Sequence, residues 1–156
     1  MIVILTEKEQ RMLEWVGKQR LHYAKLNNLA PVGTATNNED AKDHILGAQC
    51  EFATSIALNL FWRPNIGILN AVDVGGAVEV RSTPIRDGRL IIRPKDRQFP
   101  FVLAYRNLPQ VELLGWQWAD WAKKHCPLDG SHGPAAHYVQ QKDLKPLKTL
   151  YRMFNA

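Results

Sequence analysis

Glu51, Asp73, Glu79 and Arg81 have the types and spacing that charge-stabilised chemistry uses. Glu79 and Arg81 flank Val80 in a segment, 77–83, where apolar and polar residues alternate. In a strand, residues two apart point to one face. Glu79 and Arg81 therefore share a side, and Val78 and Val80 face the other way. Asp73 precedes a Gly75-Gly76 pair, and antiparallel pairing across Val74-Gly75-Gly76 would bring it near Glu79. Two carboxylates held in this way form a hard oxygen site suited to Mg²⁺. Such an ion orients a water and stabilises charge on a phosphate under attack. A basic group beside it stabilises the negative charge that develops. Glu51 lies on a helix that is small or apolar nearly all round. A buried carboxylate is costly unless paired, so Glu51 is either functional or half of a structural salt bridge.

Each of these residues also has a plainer reading. Glu79 and Arg81 can be an exposed same-face ion pair, which adds little stability. Asp73 can be a turn residue. Arg81, Arg86, Arg89, Arg93, Lys95 and Arg97 form a basic cluster interrupted only by Asp87 and Asp96. It reads as a nucleic-acid face, or as a solvated hairpin edge whose charges discourage aggregation. Trp116, Trp118 and Trp121 have the aromatic faces to stack on bases, but their spacing makes no single helical stripe, and core packing is the default. His125, Cys126, His132 and His137 fit none of the usual zinc spacings. His22 and His44 stand alone. The chain has no Ser/His/Asp arrangement, phosphate-binding glycine loop or dinucleotide fingerprint.

The elements that must hold these residues follow from periodicity. Thr6-Glu7-Lys8-Glu9 reads as a capping box opening a helix over 6–26, with Met12, Leu13, Trp15 and Val16 on or near one face and Asn27-Asn28 as its stop. Residues 31–38 read as a loop. A second, buried helix begins near 38–40 and ends at Arg63-Pro64-Asn65. Residues 70–73 read as a short extended segment. Strands follow at 77–83 and 90–92, joined by an Asp87-Gly88 hairpin turn. The apolar run 100–105 reads as a central buried strand, and 111–116 as the next. A short helix is expected over 118–124, an edge strand at 138–139, and a turn or helix over 143–154. The order is α+β: a central mixed, mostly antiparallel sheet flanked by helices. One domain is expected over 1–156, with a core over about 38–124 and a C-terminal extension over 125–156.

The helix pattern Gly47-x-x-x-Glu51-x-Ala53, then Asp73, then Glu79-Val80-Arg81 after a glycine turn, resembles the PD-(D/E)XK nuclease superfamily. That superfamily includes restriction endonucleases, Holliday-junction resolvases and repair nucleases. The resemblance spans roughly residues 44–118. The chain is also similar to small phage and prophage proteins, through the segment 90–94, Gly115-Trp116 and Tyr138-Val139. The resemblance implies a restriction-endonuclease-like fold and Mg²⁺- or Mn²⁺-dependent hydrolysis of DNA phosphodiester bonds. Asp73 would be the metal-binding aspartate, Glu79 the second ligand and Glu51 the helix glutamate that completes the site. Arg81 stands where the family has lysine. Lysine can shift its pKa and act on a water, whereas arginine stays protonated. Val72 stands where the family has proline, and the gap from Asp73 to Glu79 is short. The Arg81 departure leaves open a catalytically inactive relative that binds nucleic acid, or that binds and inhibits a host or phage protein. A small assembly protein, with the tryptophans and basic surface as interface, is the third reading.

Composition sets the outer limits. The chain has 156 residues, 46% hydrophobic and 22% charged, the proportions of an ordinary globular domain. Twenty Lys+Arg against 15 Asp+Glu give a net charge of +5, which favours a polyanionic partner without requiring one. Two cysteines, Cys50 and Cys126, argue against a disulfide-built scaffold and for a reducing compartment. The five apolar residues at the start are too few for a secretory signal, and no run approaches the ~18 of a membrane span. A cytoplasmic protein is expected, in the host cytoplasm if phage-encoded. Dimerisation would suit a double-strand cutter.

Overall fold

Thr6 and Glu9 begin the first helix as their types demand. The Glu9 amide donates to Thr6 Oγ1 at 3.3 Å, and the Thr6 amide donates to Glu9 Oε2 at 2.7 Å. This helix, α1 (Glu7–Leu26), stops at Asn27 as its sequence indicates. The computed structural model of the protein describes residues 1–29, 39–68, 70–131 and 133–155. The loop expected over 31–38 lies outside the described residues, as does His132. Before α1 comes a short strand, β1 (Ile2–Ile4), and after it α2 (Glu39–Leu58). Then follow β2 (Glu79–Thr83), β3 (Leu90–Ile92), β4 (Pro100–Asn107), β5 (Gln110–Trp118), α3 (Ala119–His125), β6 (Leu128–Asp129), β7 (Ala136–Val139), a 3-10 turn at Gln141–Asp143, and α4 (Leu147–Phe154). The protein is α+β, with mixed sheets flanked by helices. No described helix is long and apolar enough to cross a membrane.

Four strands form one sheet in the order β1-β5-β4-β2. β4 is buried on both faces, as its continuous apolar run requires. Val102 and Ala104 face a core shared with α1, α2 and α4, while Phe101 and Leu103 face a second core shared with β3, β7 and α3. β2 runs parallel to β4, with Glu79 opposite Phe101 and Arg81 opposite Leu103. Glu79 and Arg81 thus share the face of the second core.

Several expectations are corrected. The single sheet is two, because β3, β7 and β6 form a separate three-stranded sheet in the order β3-β7-β6. The Asp87-Gly88 signal makes a turn, with the Gly88 amide on the Ile85 carbonyl, but no hairpin. Pro84 has no N–H to extend the ladder, and Leu90 and Ile92 bury fully in the second core instead of pairing with β2. Residues 138–139 belong to the middle strand of that sheet, not its edge. Residues 70–73 are irregular. β1, whose apolar residues read only as too short for a signal, pairs antiparallel with β5. On α1, Leu13 and Val16 are buried, whereas Met12 and Trp15 are exposed.

Gly17 sets how closely the two long helices approach. A Cβ there would lie 2.5 Å from Ile45 Cγ1 and 2.6 Å from the Ile45 Cα and N. Backbone cannot move aside as a flexible side chain can. At an open helical position Gly→Ala gains about 1 kcal/mol of propensity, but overpacking costs about 1–3 kcal/mol. Gly17→Ala is therefore expected to lower stability on balance, read as a lower urea midpoint with an unchanged slope.

Candidate active site

The turn after Asp73 builds the site. Gly75 and Gly76 have φ of +58° and +66°, a left-handed pair that side-chain-bearing residues rarely adopt. They fold Val74 back on Val78, with amide–carbonyl bonds of 3.0 Å in both directions. This reversal brings the Asp73 carboxylate to the start of β2, where Oδ2 accepts from the Val80 amide at 2.8 Å. Glu79 acts on Asp73 through its charge and as a hydrogen-bonding neighbour, and both raise the Asp73 pKa. The pairing read from the glycine turn thus exists in the folded chain.

Each carboxylate has its own compensation. Glu51 is 7% exposed and accepts a bidentate pair from Arg20 of α1, at 2.8 and 2.6 Å. Trp62 Nε1 donates to its Oε2 at 3.2 Å. Arg20 is held in turn by the Pro64 carbonyl, 2.8 Å from Nε. Of the two readings open for Glu51, the structural salt bridge is present. Its field still reaches Asp73. Glu79 Oε1 accepts from Arg97 Nη2 at 3.2 Å, and the same nitrogen donates to the Asn70 carbonyl. Among the described residues, Asp73 makes no salt bridge. Burial first, then the charges of Glu51 and Glu79, hold its pKa well above the usual carboxylate range, against the Val80 amide, which lowers it.

Arg81 faces the same way as Glu79 but does not pair with it. Its Nη2 lies 2.7 Å from Asp96 Oδ2, its Nε donates to the Ile91 carbonyl, and its guanidinium lies over the Phe101 ring. Asp96 also accepts from the Arg93 amide at 2.8 Å. The expected basic cluster divides. Arg93, Lys95 and Arg97 are exposed in the loop from β3 to β4, with Arg97 on Glu79 and Arg93 lining a groove with Asp73. Arg86 instead reaches Glu112 of β5, beyond the opposite end of β2, and Arg89 lies over Tyr138. Trp116 is buried with its Nε1 on Thr149 Oγ1 and the Pro146 carbonyl, and Trp118 packs edge-on against it. Trp121 stacks on His125. Cys50, next to Glu51, has its thiol pushed up to about 12 by burial and is no nucleophile.

A groove of about 350 Å³ runs between α2 and β2–β3. Glu51 and Asp73 lie at its inner end, Arg81, Ser82 and Arg93 on the sheet side, and His44 on the helix side. Sequence reading left His44 isolated, although His44, Gly47 and Glu51 lie three and four residues apart, one face of a helix. Arg20, Trp62 and Asp96 were also missed, because nothing local marks a partner on another element. Among the described residues, no three His, Cys, Asp or Glu side chains converge as a ready-made metal cage. Mg²⁺ needs only one or two carboxylates and completes its shell with water and phosphate oxygens. Asp73 and Glu79 fit that requirement, whereas both oxygens of Glu51 are already engaged. No protein-family model, curated protein or solved structure matches the chain.

A carboxyl with a raised folded pKa binds its proton more tightly folded than unfolded. Asp73 therefore costs stability as pH rises from its unfolded value near ~3.9 through the raised folded one. In metal-free protein Asp73→Asn keeps an acceptor for the Val80 amide and removes the charge. It is expected to raise the melting temperature by a few degrees at about pH 8 and to change little at about pH 4. A wild type and variant that melt together at both pH values would contradict this account. Arg20→Ala leaves Glu51 buried without its cation and should cost about 3–5 kcal/mol in a urea titration. Arg20→Met with Glu51→Met should recover most of that loss.

Proposed function

We propose that the protein is a metal-dependent nuclease with a restriction-endonuclease-like core, acting on DNA. The observation that carries this reading is the glycine reversal that sets Asp73 beside Glu79 at the start of β2, with Asp73 lining a groove that Arg81 and Arg93 also line. Burial and two neighbouring acids disfavour the charge on Asp73, the kind of perturbation that clusters at functional sites. Bound Mg²⁺ or Mn²⁺ would supply an activated water and charge neutralisation at the phosphate. Asp73 and Glu79 would hold that ion, with the Val80 amide orienting Asp73. Glu51 would keep the site electronegative through its field while staying clamped to Arg20. Arg97 would leave Glu79 for a phosphate oxygen as the ion takes its place. Arg81, steadied by Asp96, would stabilise charge on the phosphate, and being always protonated it would not serve as a base. Arg93 and Lys95 would position the strand through phosphate contacts.

The Arg81–Asp96 pair favours a second reading, in which the same fold binds nucleic acid, or a host or phage protein, without cutting. A guanidinium tied down at 2.7 Å is less able to follow a reacting phosphate.

The test is cleavage of supercoiled plasmid and of single-stranded DNA with Mg²⁺ or Mn²⁺ against EDTA. Wild type is expected to cut only with metal, and Asp73→Asn and Glu79→Gln to lose at least about a hundred-fold in rate. Mn²⁺ should raise the melting temperature of wild type and not of Asp73→Asn. A metal-free melting temperature for Asp73→Asn at or above that of wild type, as expected, separates a lost metal ligand from unfolding. A folded wild type that cuts neither substrate, with Arg81→Lys cutting where it does not, would assign the protein to the second reading.

A further inference from the structure

We propose that the hollow on the α1 side of Asp73 takes one unstacked nucleotide of the bound strand, so that single-stranded or locally opened DNA is the preferred ligand. The inference rests on the nucleic-acid reading above and goes beyond it by naming the conformation of the strand. The hollow is distinct from the arginine-lined groove but opens on the same carboxylates, since Glu51 and Asp73 line both. A group lying in it is next to the phosphate that Asp73 would handle.

Its size and lining suit a nucleobase. The volume is about 340 Å³, at the lower end of the roughly 300–1,000 Å³ of ligand pockets. That is room for one nucleotide, not for a stacked duplex. Tyr23 contributes an aromatic ring, Ala24, Leu29 and Ile68 contribute apolar wall, and Asn65 and Asn70 contribute polar groups. This is the mix with which proteins hold unpaired bases: a ring for stacking and amides for the base edges. The Tyr23 ring is backed by bare backbone. A Cβ at Gly67 would lie 2.9 Å from Tyr23 Cε2, and Gly67 has a φ of +74° that also favours glycine. Gly67 is thereby held against the ring, and Ile68, 48% exposed, stands at the rim.

The charge distribution supplies the direction of the strand. Arg81 and Arg93 line the groove on the other side of the carboxylates, where phosphates would lie. A strand passing from them over Asp73 presents its next base to the Tyr23 hollow. In a continuous duplex that base is stacked and paired and reaches the hollow only by leaving the helix.

The experiment measures binding, with Ca²⁺ replacing Mg²⁺ to suppress cutting. Fluorescence anisotropy compares a short single strand with its duplex. Wild type is expected to favour the single strand by roughly ten-fold or more, and Tyr23→Ala to lose about that factor on the single strand only. Tyr23→Phe keeps the ring and should keep the preference. Arg93→Ala should weaken both forms alike, as a phosphate contact does. Ile68→Glu, at an exposed rim position, should lower the single-strand to duplex ratio if Tyr23→Ala does not fold. Equal binding of the two forms, no detectable DNA binding, or a folded Tyr23→Ala or Ile68→Glu with an unchanged ratio would overturn the proposal. Cutting with no strand preference removes this inference and leaves the nuclease. A Tyr23-dependent single-strand binder that never cuts does the reverse.

Discussion

Glu51 carries a negative charge into the interface between α2 and the sheet, and much of the surrounding structure compensates for it. Burying one ion costs several kcal/mol unless a partner meets it with good geometry. Arg20 meets it with two parallel hydrogen bonds, and Trp62 takes part of the remaining acceptor capacity. Arg20 can do this only because α1 lies close on α2. Gly17, one helical turn before Arg20, permits that approach, since no side chain separates it from the Ile45 backbone. One missing methyl and one ion pair therefore depend on each other. The helix contact brings the guanidinium within reach, and the guanidinium makes the buried carboxylate tolerable.

With Glu51 pinned, Asp73 and Glu79 inherit an electrostatic problem that the chain leaves partly unsolved. The charges of Glu51 and Glu79 both act on buried Asp73, and two cations, Arg20 and Arg97, are bonded directly to those two glutamates. The deficit settles on Asp73, which makes no salt bridge among the described residues, and it raises the Asp73 pKa. Perturbed acids of this kind cluster at functional sites, and structural ion-pair networks produce them too. A divalent cation, or a phosphate bringing its own counter-ions, would relieve the deficit.

The sheet explains why the groove lies where it does. β4 is covered on both faces and is held between β5 and β2, so it forms the rigid centre. β2 lies at the edge of that sheet beside α2, and its alternation sends Val80 into one core and Glu79 and Arg81 toward the other. The loop from β3 to β4 then returns Asp96 and Arg97 to the same edge, where they take Arg81 and Glu79 as partners. The two charged residues that stand two apart on β2 are thus each neutralised by a side chain from that one loop, and not by each other.

What the sequence determined by itself was local. The capping box and asparagine stop set the bounds of α1, the unbroken apolar run marked β4 as the central strand, and the glycine pair forced the reversal that brings Asp73 to Glu79. In each case the cause lies within a few residues: a cap, a hydrophobic period, a positive φ. Tertiary structure decided which segments meet. It paired β2 with β4 in parallel, sent β3 into a second sheet, and gave Glu51 a partner 31 residues away. It also decided which acid has its charge disfavoured by burial and by its neighbours. These outcomes depend on the burial and charge that the whole chain assembles around a residue, and neighbours in sequence carry no record of them.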